Sequence, residues 1–340
     1  MKNGKLGVCV VGCGDMGTLH GECWRQVAEA QVVAVVDIKG ERARKMARAH
    51  NLDTWYTDYR AAVVLDEVDV VSVCIPTFFH SDATVLAANH GKHVISEKPI
   101  ALTLREADAM IDAARQNGVK LGVGFMRRHS PVLPELRGWL AEGELGRPVM
   151  YHASDVRQIR PKLEMHDAHM NGGPVIDMGV HLFDLWAYIF DSEPVVVFAQ
   201  GMKLAQHRPE IAHIQEIAYD TATILVRYGS GDIGTFVVSW GLPPGVTPPS
   251  VPDQILGPEG AAQAMYAGSS QQVQVMREGG GWETVFTSDQ NMYQLEIARF
   301  ARSILEDEPF PATGEEGKAA LRVALAAMDS IQTGRPVFLR

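Results

Sequence analysis

The chain is expected to be an α/β protein opening with a doubly wound parallel sheet, and three observations predict this. Short apolar runs without polar alternation are separated by helix-like segments through residues 1–125. Such runs suit strands covered on both faces, and right-handed crossovers favour the doubly wound topology. Three glycines, Gly12, Gly14 and Gly17, stand in Gly-x-Gly-x-x-Gly order between the first run and the first helix. From about Met126 hairpin-like strands and closing amphipathic helices take over, which marks a second domain, 126–340.

The elements follow in order. "KLGVCVVG" (5–12) is a strand, and a helix is expected from Met16 to about Ala30. "QVVAVVD" (31–37) is the next strand and "GERARKMARAH" (40–50) the next helix. "VDVVSVCIP" (68–76) is a buried strand stopped by Pro76, followed by a helix ending near Gly91. "KHVISEKP" (92–99) and "KLGVGF" (120–125) are strands around the amphipathic helix "READAMIDAARQNG" (105–118). In the second domain "GGPVIDMGVHLFDLWAYIF" (172–190) reads as one largely buried helix. "VVVFAQGMKL" (195–204), "ATILVRYGSGDIGTFVVSW" (222–240) and "QQVQVMREGGGWETVF" (271–286) have strand composition, with Gly-Ser-Gly as a hairpin turn. Five prolines from Pro243 to Pro252 make a loop, and helices close the chain at 291–305 and 317–332.

Composition bounds the partners. A net charge of −10 over 340 residues argues against a nucleic-acid backbone as ligand. No apolar run reaches membrane-spanning length, and the start lacks a signal-peptide pattern, so no membrane partner and a cytoplasmic location are expected. The four cysteines, Cys9, Cys13, Cys23 and Cys74, form no Cys-x-x-Cys pair and have no second cluster to complete a zinc site. Neither a metal nor a disulfide is expected.

The glycine corner then acquires a role. Gly12 permits a tight turn, Gly14 lets backbone approach a pyrophosphate, and Gly17 lets the helix pack against the sheet. Asp37 lies twenty residues beyond Gly17 at the end of the second strand, where a carboxylate accepts ribose hydroxyls. It repels a 2′-phosphate, which favours NAD, although Lys39 and Arg42 leave NADP open.

Two further stretches carry chemistry. Glu97-Lys98-Pro99 ends a strand on the edge where doubly wound sheets bind ligands, although a solvated lysine would also suit that place. Asp177, His181 and Asp184 fall at i, i+4 and i+7 of the predicted buried helix. Two carboxylates and an imidazole on one stripe fit acid–base work, a metal site or a satisfied structural network. The "MHDAHMNGG" loop (165–173), with His166, Asp167 and His169, is better used to contact substrate than to bind metal.

The order Gly-Cys-Gly-Asp-Met-Gly, Asp37, Pro76-Thr77-x-x-His80, Glu97-Lys98-Pro99 and Gly-Gly-x-x-x-Asp-x-Gly-x-His-x-x-Asp resembles the Gfo/Idh/MocA oxidoreductase family. The glycine series is common to many families, whereas the last two motifs together are far more specific. The resemblance implies a Rossmann domain, 1–125, and a substrate-binding and oligomerisation domain, 126–340, on an open, mostly antiparallel sheet. It implies a homo-oligomer, dimer or tetramer, through that sheet. It makes Lys98, Asp177 and His181 the catalytic group, with either Lys98 or His181 as proton acceptor. Lys98, Arg127, Asp177, His181 and Asp184 would contact substrate. Gly12, Cys13, Gly14, Asp15, Met16, Gly17, Asp37, Ile38, Ile75, Pro76, Thr77, His80, Glu97 and Lys98 would contact NAD. The implied activity is NAD-dependent oxidation of a secondary hydroxyl on a sugar or inositol-like polyol. Glycoside cleavage by transient oxidation, or a silent sugar sensor, are the alternatives. The family also suggests a cis Lys98–Pro99 bond, and Thr77 departs from the asparagine frequent there.

Overall fold

The structure, a computed structural model, describes residues 4–266 and 271–339. The chain begins β1 (Leu6–Val11), α1 (Asp15–Arg25), β2 (Ala30–Val36), α2 (Gly40–Ala49), α3 (Tyr59–Ala62), β3 (Val70–Val73), α4 (His80–Asn89) and β4 (His93–Ser96). Then come α5 (Leu104–Gln116), β5 (Leu121–Val123), α6 (Val132–Glu142), β6 (Met150–Gln158), α7 (Gly173–Asp177) and α8 (Gly179–Phe190). Strands β7 (Pro194–Met202), β8 (Thr221–Tyr228), β9 (Ile233–Leu242), β10 (Asp253–Gly257), β11 (Gly260–Met265), β12 (Gln271–Arg277) and β13 (Glu283–Ser288) follow. The chain ends with α9 (Met292–Leu305), α10 (Gly314–Thr333) and β14 (Val337–Phe338). Contacts divide it into one unit of Met1–His129 with Asn291–Lys318, and another of Ser130–Gln290 with Ala319–Arg340.

The first unit is built on a parallel sheet in the order β2-β1-β3-β4-β5. Every residue of β1 and β3 is buried, as unpatterned Val-rich strands between helices require. The strand order reverses between β1 and β3, which marks the carboxyl ends of those strands as the ligand crevice. The first helix is shorter than expected: a Gln26 N–H bond to the Cys23 carbonyl closes it, and Ala30 already pairs with Leu6 in the sheet. Helix α5 has a stronger start than its composition alone suggests. Thr103 accepts the Glu106 N–H, and the Glu106 carboxylate accepts the Thr103 N–H.

The second unit carries a nine-stranded sheet, β13-β12-β11-β10-β6-β9-β8-β7-β14. Its neighbours run antiparallel except β6 and β9, which are parallel. The Gly-Ser-Gly hairpin joins β8 to β9 as expected, and residues 243–252 form no strand or helix. Helix α8 lies against one face: the Trp186 ring sits 5.8 Å from that of Tyr151 on β6. A Cβ on Gly234 of β9 would come within 2.3 Å of Trp186, so only glycine lets this helix seat. On the opposite face Phe198 and Leu225 stand directly across from one another and are exposed.

Candidate active site

The glycine corner closes around itself and opens where a ligand would sit. Gly12 has φ +96°, and a Cβ there would lie 2.4 Å from the Cys74 carbonyl oxygen at the end of β3. A Cβ on Gly17 would lie 1.6 Å from the Gly12 oxygen. Gly14, which caps α1 without a side-chain bond, would send its Cβ into open space. That space over a helix start, at the sheet's reversal point, is what a diphosphate needs, so the residues present fit the dinucleotide. Asp37 braces the corner: Oδ2 accepts the Cys13 N–H at 2.9 Å and Oδ1 the Lys39 N–H at 2.8 Å. Both oxygens are thereby aimed before any ribose arrives. Ile38 beside it is 83% exposed, an apolar surface fit for an aromatic base. Asp15 is exposed and Met16 partly so in the first turn of α1.

The cysteines here are not nucleophiles. Burial, with Asp37 nearby, pushes the Cys13 thiol up to about 12, and burial takes Cys23 up to about 11. Cys9 is raised as well, by burial and then by Cys13.

At the end of β3, Ile75 and Pro76 are partly exposed and Thr77 is buried. His80 is buried too, and both its ring nitrogens meet backbone carbonyls, Ile75 at 2.7 Å and Pro99 at 2.8 Å. Burial lowers its pKa, the two carbonyls opposing. Expected as a cofactor contact, it ties the strand end to Pro99. The Lys98–Pro99 bond is cis. Lys98 is half-buried at the end of β4, whereas Glu97 beside it is 6% exposed and turned inward. Arg127 lies on a short helical turn after β5, half-buried, and its charge acts on Tyr293 of α9. Sequence reasoning missed His20, Ser72 and Glu296, all buried polar side chains of this unit. Their signal was polarity on faces that periodicity assigns to the core.

In the second unit the predicted single helix is two, interrupted at Met178, which caps both α7 and α8. The Met178 N–H bonds back to the Pro174 carbonyl and the His181 N–H to the Met178 carbonyl. Asp177 therefore ends α7, while His181 and Asp184 belong to α8. All three are buried, at 4, 4 and 3% exposure. Asn171, also missed, donates to Asp177 Oδ1 at 3.2 Å. Asp184 carries its charge toward Tyr228, whose phenol is pushed well up by burial and then by that carboxylate. The "MHDAHMNGG" side chains separate. His166 accepts the Arg160 N–H at 2.9 Å, and exposed His169 pairs with Glu216. Among the described residues no three ligand-type side chains gather to hold a metal.

A glycine corner backed by an acid on a reversing parallel sheet, joined in one chain to a sheet domain with buried acids and an imidazole, defines a nicotinamide-dependent oxidoreductase. The chain belongs to the Gfo/Idh/MocA oxidoreductase family: residues 6–125 match its NAD-binding Rossmann fold and residues 137–339 its C-terminal alpha/beta domain. Myo-inositol 2-dehydrogenase of Thermotoga maritima is 29% identical over 337 residues, covering 97% of each chain. The scyllo-inositol 2-dehydrogenase (NAD(+)) of Bacillus subtilis is 28% identical, covering 97% of this chain and 95% of that one. The crystal structure of a probable dehydrogenase from Thermotoga maritima superimposes with a TM-score of 0.76 at 28% identity, covering 98% of both chains.

Proposed function

We propose that the protein oxidises a secondary hydroxyl of a sugar or cyclic polyol, inositol-like compounds included, with NAD as hydride acceptor. The observation that carries this reading is a glycine corner open at Gly14 and backed by Asp37, in a chain whose α7 and α8 bury Asp177, His181 and Asp184. NAD, when bound, supplies the nicotinamide ring that takes up hydride. His181 takes the hydroxyl proton, work that a positioned imidazole contributes at about 10²–10⁴-fold in rate. Asp177, held by Asn171, orients that imidazole. Lys98 donates to a substrate oxygen and stabilises negative charge developing on it. Asp184 and Arg127 hold further hydroxyls. A site built to hydrogen-bond hydroxyls rejects analogues that lack them, which is why polyols and sugars suit it.

The domain of residues 1–125, which 291–318 rejoin, serves the cofactor, and the remainder of 126–340 serves substrate and assembly. The exposed Phe198–Leu225 row of the nine-stranded sheet supports a homodimer or tetramer through that face. No helix among the described residues is long and apolar enough to cross a membrane. The proposed place of work is the cytoplasm. A panel of inositols, hexoses and pentitols, each with NAD and then NADP, tests the reading by NADH or NADPH absorbance. The expected result is turnover of one or a few polyols, at least about tenfold faster with NAD because Asp37 repels a 2′-phosphate. A chain that binds NAD and reduces it with none of them refutes the activity.

A further inference from the structure

We infer that His20 and Glu97 are positioning residues: a buried, hydrogen-bonded pair that grips the Lys98 main chain and so aims its ammonium. The inference rests on the catalytic reading of Lys98. It concerns four elements of one unit and a network that closes on itself. His20 lies on the inward face of α1, fully buried. Its Nε2 is 3.1 Å from Glu97 Oε1, and the other oxygen, Oε2, accepts the Lys98 N–H at 3.1 Å. A carboxylate only accepts, so His20 Nε2 carries the proton on that side. The other ring nitrogen, Nδ1, meets Ser72 Oγ of β3 at 2.7 Å, and Trp24 Nε1–H also points at that hydroxyl, at 3.4 Å. Ser72 thus anchors the imidazole to the sheet, and the imidazole anchors Glu97.

The charge state follows from burial. An ionised carboxylate inside a protein needs a counter-charge, and one exposed on only 6% of its surface finds little in water. The titratable groups around His20 are the Glu97 carboxylate, the Cys23 thiol of α1, the Cys74 thiol beyond β3, and Glu296 of α9. Burial and then Glu97 push the Glu296 pKa well up. That leaves Glu97 as the carboxylate that calls for a cation. Burial alone would lower His20 and raise Glu97, yet His20, beside Cys74 and Glu97, lies well above the usual histidine range. Glu97, bonded to His20 and close to Lys98, lies below the usual carboxylate range. Space is reserved for the pair as well, since a Cβ on Gly124 would come within 3.2 Å of the Glu97 carboxyl group.

Both oxygens of Glu97 and both nitrogens of His20 have partners, so neither side chain is set to exchange a proton with substrate. What the pair controls is the peptide between residues 97 and 98. His80 holds the Pro99 carbonyl at 2.8 Å, so the main chain on each side of Lys98 is fixed from the interior. A lysine ammonium on a flexible four-carbon stem benefits from such a base, because small misplacement at a reacting centre costs about 10²-fold in rate.

The test is a mutant cycle with the polyol turned over fastest, together with histidine spectra of the cofactor-free protein. Glu97→Ala is expected to lower kcat by about 30- to 100-fold while the NAD dissociation constant moves by less than about threefold. Glu97→Gln, whose amide can still accept the Lys98 N–H and donate to a neutral His20, restores kcat to within about fivefold of the parent. In a Lys98→Ala background, Glu97→Ala adds less than about twofold, because the residue it positions is gone. In long-range ¹H–¹⁵N spectra the parent His20 is expected with Nε2 protonated toward Glu97, and with Nε2 unprotonated in Glu97→Gln. An equal loss on adding Glu97→Ala to the parent and to Lys98→Ala, or an unprotonated His20 Nε2 in the parent, overturns the inference. Lys98→Ala turning over as fast as the parent refutes the catalytic reading beneath it and removes the inference with it, even if the His20 spectrum is as expected.

Discussion

The two sheets place their ionisable groups under different constraints. In the five-stranded sheet both faces are covered, and β1 and β3 have no exposed residue. Chemistry is therefore confined to the carboxyl ends of the strands, and any charge inside has to be matched by a partner, as His20 matches Glu97. In the nine-stranded sheet the strands alternate: along β8, residues 222, 224, 226 and 228 are buried while 223, 225 and 227 are exposed. One face receives α8, and the other is exposed. A wholly covered sheet thus supplies a precise edge, whereas a half-covered one supplies a helix seat and an open face, the face proposed above for assembly.

The contrast can be broken at its tightest point first. Gly17→Ala puts a Cβ 1.6 Å from the Gly12 oxygen. It is expected to cost about 3 kcal/mol or more and to abolish NAD binding, measured by denaturant titration and calorimetry. Gly14→Ala sharpens the same point, because its Cβ meets nothing within 4 Å in the protein itself. The melting temperature should hold while NAD affinity falls by about 10- to 100-fold. A Gly14→Ala variant that binds NAD like the parent would mean that the open space is not the phosphate seat.

A smaller effect tests the rule that buried charge needs a partner. His129 is fully buried with neither ring nitrogen bonded, and burial, helped by Arg299 and Arg128, lowers its pKa to about 3. The unfolded chain binds this proton near pH 6.5, and the folded one only near 3. Stability from His129 is thus full above pH 6.5 and drains as pH falls from 6.5 toward 3. The loss is about 2 kcal/mol by pH 5. His20 has the opposite sign: its raised pKa contributes below pH 6.5, and that contribution is lost as pH climbs through the folded value. His129→Leu should flatten the acid limb of stability against pH, and an unchanged slope would remove His129 as its cause. The smallest effect on the protomer belongs to the open face. Leu225→Lys should leave protomer stability within about 0.5 kcal/mol while light scattering shows a smaller assembly. An unchanged mass would exclude that face as the interface.

Legibility in the sequence follows the same division. Strands β1 to β4 were readable because unpatterned Val and Ile runs between helices suit little besides a sheet covered on both faces. Gly12, Gly14, Gly17 and Asp37 were readable with them, since they lie within one local unit. The β8–β9 hairpin was readable from its turn. Strand β6, "MYHASDVRQ", was not, because its polar residues give no clear period and its parallel partner β9 is far along the chain. Strand β11, "GAAQAM", has too little bulk to signal a strand. The break at Met178 left only a slight signal, the lone Gly179 beside it, since both flanking segments are helical. The return of residues 291–318 to the first unit is a matter of topology, which periodicity does not encode. The His20–Glu97 pair spans 77 residues and exists only once α1 and β4 are side by side.

Lys98 and His181 carry the central claim, and substituting each while watching cofactor and chemistry separately tests it most directly. NAD binding by calorimetry and NADH formation with the best polyol should come apart. Lys98→Ala and His181→Ala are expected to bind NAD within about threefold of the parent and to lose about 10²–10⁴-fold in kcat. Either variant forming NADH at the parental rate would contradict the assignment.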